Sequence, residues 1–172
     1  MRFKKGLSFL ELVIALAIIS IGLVGLIQAS NTALELNYRT SREVVAVNLA
    51  KGLLAEIISK NFVDPLDNST NLGKNSGETT RNDFDDVDDY NGTSENPPRT
   101  VNATAMNGTA GTPNYSDFTR NATVIYVNFL ANGTYDESQP ATPTEYKKVS
   151  VAVTTPQIRE INVSEYKSNT TQ

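Results

Sequence analysis

A chain of 172 residues is long enough for about one domain, and a formal charge of −4, from 15 Lys and Arg against 19 Asp and Glu, offers no clustered basic surface for phosphates. Nucleic acid is therefore excluded as a partner. Cys, His and Trp are absent, which removes disulfides, thiolate metal sites and the commonest general base, so neither an enzyme nor a cofactor is expected.

The apolar residues are concentrated at the start. Residues 1–6 form a short basic leader with Arg2, Lys4 and Lys5, and from Leu7 to Ile27 the only ionisable group is Glu11. Those 21 residues, at about 1.5 Å each, reach about 30 Å and match a bilayer core. One membrane span over residues 7–27 is expected, with the leader cytoplasmic by the positive-inside rule and everything beyond Gln28 exported. A removable secretory signal is the alternative. It fits less well, because the run exceeds the usual apolar length, a carboxylate interrupts it, and no A-x-A site closes it.

A carboxylate at membrane depth is costly, so Glu11 needs a partner. The order of basic leader, Gly6, Leu7-Ser8-Phe9-Leu10-Glu11 and apolar helix resembles the type IV prepilin signal shared by pilins and type II secretion pseudopilins. The resemblance implies that prepilin peptidase cuts between Gly6 and Leu7 and that the freed amine of Leu7 is N-methylated. Glycine suits the cut, since it lets the backbone approach a catalytic site closely. Glu11, one helical turn beyond Leu7, is implied to pair with the Leu7 amine of a neighbouring subunit and so to set the register of assembly. Membrane lipid surrounds the helix before assembly, and the inner-membrane assembly platform and other pilin or pseudopilin subunits are the further partners implied.

Before Pro65 no proline interrupts the chain, and one helix is expected from Leu7 to about Lys60, with Gly22 and Gly25 as its weak points. In its second half, residues 28–61, Val44, Val47, Ala50, Leu54, Ile57 and Ile58 recur at three- and four-residue spacing. Arg42, Glu43, Lys51 and Glu56 lie off that stripe, which is expected to pack on the protein's own sheet. "AVNLAKGLLAEI", residues 46–57, resembles the matching stretch of minor pilins of the PilV and MshD kind and of I-type pseudopilins.

Residues 62–120 show almost no periodicity and are expected to form an irregular region lying over the sheet's edge. "RNDFDDVDDYNG", residues 81–92, resembles an acidic aromatic segment of the same minor pilins. Phe84, Val87 and Tyr90 are expected to anchor it to the core, with the aspartates solvated or capping backbone amides. Calcium held by Asp85, Asp86, Asp88 and Asp89, with Asp83 beside them, stays open as a further use. An EF-hand is not available, because placing Gly92 at the sixth loop position puts Val87 first and Pro98 twelfth. N-x-Ser/Thr sequons begin at Asn68, Asn91, Asn102, Asn107, Asn114, Asn121, Asn132, Asn162 and Asn169, candidates for glycosylation or products of an Asn-, Ser- and Thr-rich composition.

Residues 121–172 hold the strands. Alternating, β-branched stretches at 122–130, 146–155 and 158–167, separated by Asn132-Gly133 and Pro156-Gln157, predict a three-stranded antiparallel meander. The fold expected is α+β, the type IV pilin ladle fold with a long N-terminal helix packed on a small C-terminal antiparallel sheet. The function implied is a minor pilin that helps prime pilus assembly or presents a surface near the tip. An I-type pseudopilin and a monomeric membrane-anchored adhesin are the alternatives.

Overall fold

The computed structural model describes residues 8–66, 68–109, 111–140, 142–156 and 158–169. Two compact units divide the chain, Met1–Ser41 and Arg42–Gln172. A single helix, α1 (Phe9–Ile58), contributes to both.

In the first unit α1 runs unbroken through Gly22 and Gly25. Its N-terminal stretch is long and apolar enough to cross a membrane, and residues such as Leu12, Ile14, Leu16, Ile21 and Leu26 are exposed. The hydroxyls in this unit are satisfied within the helix. Ser20 donates to the Leu16 carbonyl at 2.7 Å, Ser30 to Leu26 at 2.9 Å and Thr32 to Gln28 at 3.1 Å. A hydroxyl bonded back onto its own helix adds little cost in an apolar medium, which is why Ser20 does not interrupt the run.

In the second unit the C-terminal part of α1 buries Ala46, Leu49, Ala50, Leu53, Leu54 and Ile57. Ala50, Leu54 and Ile57 are buried as expected, but the face is rotated to take in Ala46, Leu49 and Leu53 and to leave Val44 out. Val44 is 56% exposed and Val47 only half-buried, whereas Leu53 and Ala46 are fully covered. Apolar residues are dense enough here to draw two overlapping stripes at helical spacing. The arc carrying Ala46 and Ala50 faces the core, and Val44 lies on nearly the opposite side of the helix at about 100° per residue. Arg42 and Glu56, expected off the packing face, are also drawn inward. Arg42 donates to Asp117 and to Thr155 Oγ1, and its guanidinium lies 4.5 Å from the Phe118 ring centroid.

The head's strands are β1 (Ser94–Glu95), β2 (Thr119–Tyr126), β3 (Asn128–Phe129), β4 (Tyr135–Asp136), β5 (Tyr146–Thr155) and β6 (Ile158–Ser168). β2, β5 and β6 form the expected antiparallel meander, and β1 adds a short fourth strand on the β2 edge, giving the order β1-β2-β5-β6. The period of two is clean. Arg120, Ala122, Val124 and Tyr126 of β2 and Lys147, Val149, Val151, Val153 and Thr155 of β5 are buried, with their neighbours less so. The core joins α1 and this face with Phe84, Val87, Tyr90 and Phe118 from the irregular region.

The stretch expected as one strand over 122–130 divides after Tyr126. Tyr126 and Val127 are both buried, so the alternation fails there, and β3 pairs instead with β4 around Gly133 at φ +83°. Such a backbone angle suits the glycine of an Asn-Gly turn. The small hairpin carries Phe129 and Tyr135 into an aromatic group with Tyr146 and Tyr166, in which Tyr135 and Tyr166 stack at 3.8 Å.

Candidate functional site

Glu11 lies in the first turn of α1, where Leu12 N donates to the Ser8 carbonyl at 3.1 Å. A carboxylate there is favoured by the helix dipole, but among the described residues none pairs with it. Phe9, Leu10, Leu12, Val13 and Ile14 expose apolar surface around it. Gly6 and Leu7, the expected cleavage and methylation positions, lie outside the described residues. The geometry thus presents one carboxylate on the otherwise apolar, exposed N-terminal stretch of the helix, an arrangement that is costly until a cation meets it.

The head contains a second set of polar groups, which sequence reasoning missed. Glu56 accepts from Arg81 through both oxygens and from the Tyr90 hydroxyl at 2.8 Å. Arg81 Nη1 continues to Glu95 at 2.6 Å, and Glu95 also accepts from Arg120 Nε at 3.0 Å. Arg120 then donates to the Leu49 and Arg99 carbonyls at 3.0 and 2.8 Å. Helix, irregular region and sheet are joined by two carboxylates and two guanidinium groups, a neutral set whose members satisfy one another. Burial draws the Arg120 guanidinium below its ordinary value despite Glu95, while at Arg81 the two carboxylates outweigh burial. Burial, with Glu56 beside it, pushes the Tyr90 phenol up and keeps it a donor.

Lys147 is the other buried cation. It donates to Asp88 at 2.7 Å and to the Phe62 carbonyl, with its ammonium 4.2 Å from the Phe62 ring centroid and 5.0 Å from that of Tyr126. Burial pushes Asp88 up and Lys147 down, each partly offset by the other. A signal for both cations was present in the strands. Arg120 shares the phase of Ala122 and Val124, and Lys147 that of Val149 and Val151, which marks them as facing the core.

The acidic segment anchors as expected through Phe84, Val87 and Tyr90, with the Phe84 and Tyr90 rings edge to face at 5.0 Å. Its aspartates are not simply solvated: Asp86, Asp88 and Asp89 are buried. Of the two expected uses, solvation gives way to burial because the two 3-10 turns at Arg81–Asp83 and Asp88–Tyr90 wind the segment inward around these anchors. Backbone capping does occur. Asp83 accepts from Thr80 N at 2.8 Å, Asp86 Oδ1 from Asp88 N at 2.5 Å and Asp89 N at 3.2 Å, and Asp89 Oδ2 from Asp85 N at 3.0 Å. Burial and then the Asp88 charge push Asp86 up to about 6.

Of the calcium candidates, Asp88 is committed to Lys147, while Asp85, Asp86 and Asp89 fall into two carboxylate groups completed by residues that sequence reasoning did not include. Asp64, Asp85 and Asp86 form one, and Glu78, Asp85 and Asp89 the other. In each, one oxygen per residue lies within 4.8 Å of the others.

Several sequons have a local structural use. In Asn107-Gly-Thr109, Asn114-Tyr-Ser116 and Asn132-Gly-Thr134 the asparagine oxygen accepts from both the backbone N–H and the hydroxyl two residues on. These are Asx turns, and the same N-x-Ser/Thr spacing that marks a sequon supplies the second donor. Asn91 is half-buried and its Oδ1 accepts from Val124 N at 3.0 Å, while Asn68, Asn102 and Asn162 are exposed. Asn121 and Asn169 are half-buried on or beside strands.

Residues 1–27 match the family model of the prokaryotic N-terminal methylation motif. Comparison with curated proteins and with solved structures finds no match. A prepilin-type signal implies processing by prepilin peptidase and assembly with other pilin subunits, and it points to a structural subunit rather than an enzyme. The methylation motif, the apolar helix that begins within it and the α+β arrangement of that helix with a C-terminal antiparallel sheet together support a type IV pilin-like protein, a pilin or a pseudopilin.

Proposed function

We propose that the chain is a minor pilin subunit of a type IV pilus, cut after Gly6, N-methylated on Leu7 and incorporated to prime assembly or to present a surface near the tip. The observation that carries this reading is the methylation motif at 1–27, which includes the exposed apolar start of α1 and, in its first turn, Glu11. Before assembly the helix spans the inner membrane with the N-terminus cytoplasmic and the head exported. On assembly the Glu11 carboxylate meets the Leu7 amine of a neighbouring subunit, so that each charge removes the other's cost in an apolar filament core. The likeness of residues 46–57 and 81–92 to minor pilins favours a low-copy role.

Mass spectrometry of the mature N-terminus and immunoblotting of sheared pili test this together. A chain beginning at methylated Leu7 and present at a small fraction of the major subunit is expected. Glu11→Leu should leave the cut intact and abolish incorporation. A mature chain beginning after Ala29 refutes the signal, normal incorporation of Glu11→Leu refutes the register role, and long filaments made mainly of this chain refute the minor-pilin assignment.

A further inference from the structure

We propose that Glu78, Asp85 and Asp89 bind a calcium ion in the head, a site independent of the pilin assignment and of the N-terminal signal. One oxygen from each of these three carboxylates lies within 4.8 Å of the others. Calcium takes oxygen ligands at about 2.3–2.6 Å, so oxygens on opposite sides of the ion stand about 5 Å apart and this group fits around one ion. The neighbouring group of Asp64, Asp85 and Asp86 meets the same limit and shares Asp85, which adds negative charge beside the site.

Asp89 supplies the observation that a cluster of acids alone lacks. Its side chain is fully buried, and Oδ2 accepts from the backbone N–H groups of Asp85 and Asp86 at 3.0 and 3.2 Å. Oδ1 is equally buried and meets no donor among the described residues. A desolvated carboxylate oxygen without a donor beside two further carboxylates is an arrangement that a cation compensates. Lys147, a buried cation whose charge reaches Asp89, is spent on Asp88 and the Phe62 carbonyl.

Access and chemistry fit the same ion. Asp64, Asn75, Glu78 and Asp85 line an open cleft of about 520 Å³, so a cation reaches Glu78 and Asp85 from solvent. The ligands come from two separate stretches, a loop at Glu78 and the segment that carries Asp85 and the 3-10 turn at Asp89. Such a set suits the flexible, oxygen-only geometry of calcium better than the near-ideal octahedron that magnesium demands. Bound there, the ion ties the turn at residues 75–78, where Asn75 N donates to Glu78 at 2.7 Å, to the anchored segment at 85–89.

The test uses the full chain in detergent, stripped with EDTA and titrated with calcium chloride or magnesium chloride by calorimetry, with thermal melting followed in parallel. Saturable one-to-one calcium binding is expected in the range of about 10⁻⁴–10⁻³ M or tighter, with magnesium weaker. Glu78→Gln should weaken calcium at least tenfold and remove the calcium-dependent rise in melting temperature, whereas Glu165→Gln, an exposed carboxylate on β6, should change neither. Asp89→Asn should behave like Glu78→Gln. If it fails to fold, Glu78→Gln decides, because Glu78 is half exposed and, among the described residues, accepts a single backbone N–H, that of Asn75. Absence of saturable calcium binding up to about 10 mM overturns the proposal. Binding that survives both variants, or magnesium binding as tightly as calcium, overturns it equally.

Discussion

Replacing Glu95 by Gln probes whether the buried network holds the head together. Glu95 is 4% exposed and serves two guanidinium groups, Arg81 through Oε1 at 2.6 Å and Arg120 through Oε2, which also accepts from Arg99 N at 3.0 Å. In the native set Glu56 and Glu95 balance Arg81 and Arg120. Glu95→Gln leaves one excess positive charge, and it falls on Arg120, whose remaining acceptors are the carbonyls of Leu49 and Arg99. Breaking a buried ion pair by removing one partner costs about 3–5 kcal/mol, because the survivor stays desolvated and uncompensated. Against a typical domain stability of about 5–15 kcal/mol, that is a large share of the total. At roughly 4 °C per kcal/mol for a head of this size, the melting temperature should fall by roughly 12–20 °C. Thermal melts of the full chain in detergent, followed by near-ultraviolet circular dichroism of the head's tyrosines, read this directly. Adding Arg120→Met to Glu95→Gln restores charge balance, and the pair should recover at least about 1 kcal/mol of the loss as a coupling energy. Glu160→Gln, an exposed carboxylate on β6, should stay within about 0.5 kcal/mol of the native protein. A Glu95→Gln variant that melts with this control, or a double variant no better than the single one, refutes the network's role.

The helix arc can be tested by truncation. Leu53→Ala, at a fully buried position, should destabilise the head by about 2–5 kcal/mol in urea unfolding, and Val44→Ala by under about 0.5 kcal/mol, although both belong to an apolar run of α1. Equal costs at the two sites would place the buried face elsewhere. Lys147→Met should cost about 3–5 kcal/mol by leaving Asp88 buried and unpaired, and Asp88→Asn added to it should recover part of that loss; additive losses would show that the pair does not couple.

What the sequence by itself determined was whatever repeats with a short period or sits in a fixed local spacing. The apolar run, the basic leader before it and Glu11 one turn beyond Leu7 were legible without coordinates, as were the alternating strands from Val149 to Val153 and the anchors Phe84, Val87 and Tyr90. Periodicity is set by the backbone of one element, so it is written into consecutive residues. Tertiary structure decided the rest. Two overlapping apolar arcs compete on α1, and only the sheet's position selects the one with Ala46, Leu49 and Leu53 over Val44. Glu56, Arg81, Glu95 and Arg120 meet across 14 to 25 residues of chain at each link, and Asp64 and Glu78 reach the acidic segment through backbone that has no period. A buried charge chooses its partner by proximity in space, and proximity through an irregular region follows from how the chain turns there, which leaves no repeating pattern in its residues.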